Sequence, residues 1–126
     1  MPTPHENDAR EQGTQLMPKF DSNGLLTAVV QHEDSQDILM VAFMDQAALD
    51  LTLSSGVAHF YSRSRARLWK KGETSGNTLA VAEVLVDCDQ DALVLKVTPG
   101  GPTCHTGASS CFYRAVSGDT LVPVKP

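Results

Sequence analysis

The sequence predicts an α+β fold: a compact, β-rich single domain with one clear short helix. Three observations predict it. Apolar segments of strand length recur at 25–31, 38–43, 57–62, 79–86, 92–97 and 112–116. Only one segment, 45–55, places helix formers between a capping residue and a closing glycine. The chain has 126 residues, 41% hydrophobic and 20% charged, the size and composition of one soluble domain.

Residues 1–16 are polar and lack an apolar period, so a flexible N-terminal tail is expected there. The ordered domain is expected over 17–116, with 117–126 as a C-terminal tail. Asp21-Ser22-Asn23-Gly24 reads as a turn. Leu25 to Gln31 and Ile38 to Phe43 read as two strands of a hairpin. Asp45 then offers an N-cap, Ala47 to Leu53 a helix, and Gly56 its C-terminal stop. Val57 to Ser62 returns to strand, and Arg63 to Asn77 is expected to contain a functional loop. Leu79 to Val86 and Ala92 to Val97 are almost continuously apolar, as expected of strands covered on both faces. Phe112 to Val116 completes the expected strands.

Bulk properties exclude several classes of function. A net charge of −5 argues against binding bulk nucleic acid. No apolar run reaches the length of a membrane span, and Met1 to Asp8 lacks the basic start and apolar core of a signal peptide. A cytoplasmic location is therefore expected. Thiols stay reduced there, and three cysteines are poor disulfide arithmetic.

The cysteines and aspartates carry the strongest chemical signal. Cys88, Cys104 and Cys111 lie within 24 residues, and Asp87, Asp89 and Asp91 surround the first. Three thiolates suit zinc, and three carboxylates suit magnesium or calcium. Three protein ligands also leave one zinc position open for water. In a strand the alternating aspartates would share one face, with Cys88 on the other. The competing reading is an exposed polar turn. A calcium helix–loop–helix site is excluded, because Ala92 and Thr98 stand where that loop needs Gly and Glu.

Cys88 alone reads as a small buried hydrophobe, whereas Cys104 and Cys111 lie in a polar segment with no core to fill. His105 adjoins Cys104. Adjacent side chains diverge, so a Cys–His nucleophile pair is not expected. His105 suits a general acid/base or a fourth ligand. Five of the ten Lys and Arg residues fall between 63 and 71, mixed with Ser, Thr, Gly and the single Trp69. That mixture predicts a pocket for phosphate and base, with Gly72 and Gly76 permitting close backbone approach.

Four ordered motifs carry a family resemblance. They are Tyr61-Ser62-Arg63-Ser64-Arg65, the run Leu68 to Asn77, the run Val86 to Leu93, and Gly101 to Gly107 with Ser110-Cys111-Phe112-Tyr113. Together they resemble phosphoribosyl-AMP cyclohydrolase, of histidine biosynthesis. The resemblance implies zinc on Cys88, Cys104 and Cys111, and magnesium on Asp87, Asp89 and Asp91. It implies a homodimer in which Cys88 of one chain meets Cys104 and Cys111 of the other. It implies a nucleotide substrate; the residues read as contacting it are Ser62, Arg63, Ser64, Arg65, Trp69, Lys70, Lys71, Glu73, Thr74 and Ser75, and His105, beside a zinc-ligating cysteine, is the catalytic candidate for moving a proton. Tyr61 stands where the family often has Trp, and Ala108-Ser109 where basic residues often follow. The alternative is a non-catalytic, zinc-stabilised nucleotide-binding module. A zinc base deaminase is excluded, since neither H-x-E nor P-C-x-x-C occurs.

Overall fold

The computed structural model describes residues 9–124. Residues 1–8 of the expected N-terminal tail, with residues 125–126, lie outside the described residues. Residues 9–12 are helical, and the elements that follow are β1 Leu26–His32, β2 Ile38–Met44, α1 Gln46–Ser55, β3 His59–Ser62, β4 Arg67–Lys70, β5 Leu79–Val86, β6 Ala92–Pro99, β7 Arg114–Ser117 and β8 Thr120–Pro123. Six form one sheet in the order β4-β3-β2-β1-β6-β5, and β7 and β8 form a separate hairpin.

Local chemistry explains most elements. The Asp21 carboxylate accepts from the backbone N–H groups of Asn23 and Leu25, closing the expected turn before β1. β1 and β2 pair antiparallel, with Leu26 opposite Met44. Alternation buries Leu26, Ala28 and Val30 on one face of β1. At the start of α1, Asp45 accepts from Ala48 N–H at 2.9 Å. Gly56 closes the helix in the left-handed region, its N–H bonded to the Thr52 carbonyl. Thr52 is buried, and its hydroxyl bonds both the N–H and the carbonyl of His59, tying α1 to β3. The core gathers Leu26, Val30, Met44, Leu49, Phe60, Leu79, Leu93 and Leu95. Full burial of a side chain such as Phe60 stabilises by roughly 1.5–3 kcal/mol.

The closing link of the sheet is parallel: β1 lies beside β6, with Thr27 opposite Ala92 and His32 opposite Val97. This pairing joins the N-terminal β1–β2 hairpin to the β5–β6 hairpin.

Two expectations are corrected. First, β5 and β6 are not covered on both faces. β6 alternates, with Leu93, Leu95 and Val97 buried. β5 is the sheet edge and leaves Leu85 and Val86 exposed. Continuous apolarity marked surface that this single chain does not cover. Second, the expected last strand 112–116 shifts to Arg114–Ser117, and residues 120–123 of the expected tail pair with it. The segment 63–77 contains turns, as expected, and also the short strand Arg67–Lys70, which pairs with β3 and sets Tyr61 opposite Leu68; its charged ends masked it.

Replacing Asp45 by Ala should lower stability by about 1 kcal/mol, while Asp45→Asn should retain most of it. Urea midpoints of the two variants against the parent check this.

Candidate active site

A groove of about 940 Å³ opens between β2, the β3–β4 hairpin and the loop 71–76. Its lining includes Ser62, Arg63, Ser64, Arg65, Trp69, Lys70, Glu73, Thr74 and Ser75, all predicted from sequence, and His105 from a distant segment. The hairpin turn supplies the first four: Ser62 Oγ accepts from Arg65 N–H at 3.2 Å. The Arg63 guanidinium lies 4.1 Å from the Phe43 ring centroid, a cation–π contact that aims it across the groove wall. Trp69 rests against buried Phe60, with ring centroids 5.2 Å apart, so one face of the indole belongs to the core. Arg67 and Glu73 form an exposed ion pair at 2.6 Å.

The structure corrects the glycine reading. At Gly72, φ is +87° and a Cβ would stand 2.5 Å from the Asn77 carbonyl carbon. The close approach there serves the loop's own closure. Gly76 faces open space. Lys71, predicted with the groove residues, points elsewhere. Its Nζ donates to the Thr103 carbonyl at 2.6 Å.

That contact anchors the cysteine segment. Asn77 donates to the Pro102 carbonyl, Ser110 Oγ to the Ile38 carbonyl, and Cys111 N–H to the Leu39 carbonyl. Segment 102–111 is thereby strapped from the 71–77 loop to the start of β2. Cys104 is buried and accepts a hydrogen bond from Thr106 Oγ1 at 3.1 Å. This bond, helped by the Thr106 backbone and the positive charge of Lys71, holds the Cys104 thiol below its ordinary range. The Cys111 thiol is pushed up, by partial burial and by the neighbouring Cys104 sulfur. The neighbouring sulfurs are thus pushed in opposite directions, and Cys104 is the one that more readily gives up its proton. His105 is exposed beside buried Cys104 and faces the groove.

The aspartates do not lie in a strand. Residues 87–91 form the turn between β5 and β6, with Gln90 in the left-handed region at φ 58°. The turn still converges the carboxylates: ligand oxygens of Asp87, Asp89 and Asp91 lie within 4.8 Å of one another. Asp87 Oδ1 accepts from the N–H groups of Asp91 and Ala92. Burial opposes ionisation of Asp87, but hydrogen bonds from the Asp91 carboxyl and these amides prevail and lower its pKa. Asp91, hydrogen-bonded to Asp87 and Asp89 and repelled by both, is pushed up to about 6.

Cys88 sits in this turn, at the sheet end where β6 begins beside Thr27. Cys111 sits beside Leu39, level with Val30 and Gln31 of β1. About 10 Å of strand and about two strand spacings, roughly 9–10 Å, separate them. Zinc at about 2.3 Å from each sulfur cannot span that gap. Within one chain, therefore, the three cysteines do not converge; among the described residues, the aspartate trio is the one metal-ligand group of three that does.

The sequence profile of phosphoribosyl-AMP cyclohydrolase matches residues 40–113, which include every groove, cysteine and aspartate position above. The chain belongs to the phosphoribosyl-AMP cyclohydrolase family. Proteins of that name resemble it along nearly their whole length. The Erythrobacter litoralis protein is 64% identical over 118 residues, 94% of each chain. That of Sphingopyxis alaskensis is 54% identical over 90% of each chain. That of Brucella anthropi is 57% identical over 97% of this chain and 90% of its own.

Sequence reasoning missed several groove residues: Val41, Ala42, Phe43, Tyr61 and Arg67. Only tertiary packing brings the β2 residues to the groove floor. Tyr61 and Arg67 were legible in principle, Tyr61 as the chain neighbour of Ser62 and Arg67 as its partner across the β3–β4 register. Ala108 is absent from the lining; its carbonyl accepts from Cys104 N–H and closes the cysteine loop instead.

The Asp91 shift sets a pH dependence. Its folded-state value of about 6 lies above the ordinary 3.8, so the folded chain binds the extra proton between those limits. The stability this proton contributes is complete below the ordinary value and is lost as pH rises through about 6. In chelator, the melting temperature should fall between pH 5 and pH 7. Asp91→Asn should flatten the fall, and added Mg2+ should oppose it at pH 7.

Proposed function

We propose that the chain hydrolyses 1-(5-phosphoribosyl)-AMP in histidine biosynthesis, opening the adenine ring between N1 and C6 to the formimino carboxamide ribonucleotide. The observation that carries this reading is the groove, where a cationic phosphate-sized rim and His105 meet beside the Cys104–Cys111 pair. The substrate is a nucleotide with phosphates at both ends. Arg63, Arg65 and Lys70 offer planar forks and an ammonium for those phosphates, and Ser62, Ser64, Thr74 and Ser75 offer hydroxyls. Phe43, Tyr61 and the free edge of Trp69 give the base an apolar wall.

The donor set fits the metals the family resemblance implies. Cys104 is disposed to ionise and Cys111 lies beside it, a soft pair suited to zinc. Cys88 would complete the set from a second copy of the chain, because its own chain holds it too far away. The uncovered apolar residues Leu85, Val86, Val116, Leu121 and Val122 support such a homodimer. Asp87, Asp89 and Asp91 present a converged oxygen trio that suits magnesium, and the proton retained by Asp91 reflects the charge a cation would neutralise. When bound, zinc supplies a water that ionises near neutral pH. His105, exposed on the groove, holds or passes the proton that N1 needs as the ring opens. Thr106 and Lys71 lower the Cys104 thiol and so favour its ligating form.

Turnover of phosphoribosyl-AMP, followed as ring-opened product with zinc counted on the same sample, tests the reading. Zinc-loaded protein without turnover would return the chain to a non-catalytic zinc module. His105→Ala should lower kcat by about 10²–10⁴-fold with zinc retained. Arg65→Ala should raise KM by roughly ten- to a hundredfold, with a smaller change in kcat.

Shared zinc makes a separate prediction. Cys88→Ala and Cys104→Ala chains should each be inactive alone. Refolded together in equal amounts they should regain about a quarter of parental activity, because about half the dimers are mixed and each mixed dimer keeps one intact site of two. No regain would exclude sharing.

A further inference from the structure

We propose that Gln90 is a positioning residue that straps segment 10–17 across the aspartate turn and so sets the cation affinity of that turn. The inference rests on the reading of Asp87, Asp89 and Asp91 as a magnesium site.

Gln90 is one of three buried polar residues in the described chain, at 5% exposure. Its side-chain amide is fully used. Oε1 accepts from Met17 N–H at 2.7 Å, and Nε2 donates to the Arg10 carbonyl at 2.8 Å and the Gln15 carbonyl at 3.2 Å. Its own carbonyl accepts from Lys19 N–H at 2.8 Å. Arg10 Nε in turn donates to the Met17 carbonyl, closing the strap on itself. One side chain therefore holds three backbone groups more than 70 residues away in sequence.

The backbone at this position does not by itself call for glutamine. Gln90 adopts φ 58°, where glycine or asparagine is at ease and a longer side chain is disfavoured. A turn needing only its geometry would be met better by Gly. The strained residue sits between two of the three converged carboxylates, so any motion of the strap moves Asp89 and Asp91 directly. Segment 10–16 also walls a second cavity of about 480 Å³, whose other lining includes Asp87, Cys88 and Gln90. The strap thus shapes the surroundings of both the aspartate turn and the cysteine expected to cross to a partner chain. Carboxylates that repel one another hold a divalent cation tightly only if their positions are imposed from outside the trio. Gln90 supplies that restraint.

The test uses full-length Gln90→Gly and Gln90→Asn. Both accept the left-handed backbone, and neither reaches the Arg10 and Gln15 carbonyls. Mg2+ affinity of the folded protein is measured by calorimetry with MgCl2 alone. Hydrogen exchange at Met17 and Lys19 reports the strap, and urea midpoints report global stability. The expected result is faster exchange at Met17 and at least about tenfold weaker Mg2+ binding in both variants, the scale of lost support to metal ligands. A released strap with unchanged Mg2+ affinity overturns the proposal, and leaves Gln90 a purely structural clamp. Unchanged exchange at Met17 overturns it as well. Absence of Mg2+ binding by the parent protein overturns it together with the reading of the trio as a cation site, whereas the proposed turnover stands or falls on the groove.

Discussion

The parallel pairing of β1 with β6 is the constraint on which the rest depends. The β1–β2 and β5–β6 hairpins are each local products of their own turns. Pairing Thr27–His32 with Ala92–Val97 makes one sheet of them and buries Ala28, Val30, Leu93, Leu95 and Val97 together. Parallel partners need a long connection, and here it carries β2, α1, β3, β4 and β5. The groove is built from that connection. The direction of β6 then decides where the metal-ligand residues go: the aspartate turn enters the strand at one end, and the cysteine segment leaves it at the other.

This arrangement explains why the chain carries so much uncovered apolar surface. Edge strand β5 exposes Leu85 and Val86, and the β7–β8 hairpin exposes Val116, Leu121 and Val122. Exposed apolar surface of this kind is suited to a partner surface. The proposed zinc set, divided between opposite ends of one sheet, would need a second copy of the chain, and the homodimer proposed above would answer both.

Charge management differs between the two ligand groups. Beside Lys71, hydrogen bonding from Thr106 lowers the Cys104 thiol, while burial and the neighbouring sulfur raise Cys111. The aspartates are packed against their own repulsion, which pushes Asp91 up to about 6. Both groups are shaped by contacts from elsewhere in the chain: Lys71 bonds the Thr103 carbonyl beside the thiols, and Gln90 bonds the N-terminal segment beside the carboxylates.

Short-range physics made much of this protein legible. Asp45 and Gly56 bound the helix because capping is a property of adjacent residues, and the turn at Asp21–Gly24 follows from one carboxylate bonding its own backbone. The groove residues 62–75 could be read because they cluster in sequence as they do in space. Other features depended on contacts between distant segments. Continuous apolarity does not tell a strand covered on both faces from an edge strand, and β5 is the edge. The charged ends of β4 hid a strand that exists because β3 offers it a ladder. The aspartates converge through a turn, a conformation that their period-two spacing does not distinguish from a strand. Capping, turning and the donor types available for metal or phosphate are therefore readable along the chain, because they belong to side chains and their near neighbours. Which of those side chains meet, with His105 at the groove and Cys88 held away from Cys104, follows from the folded arrangement, because strand order and direction are set by burying one core.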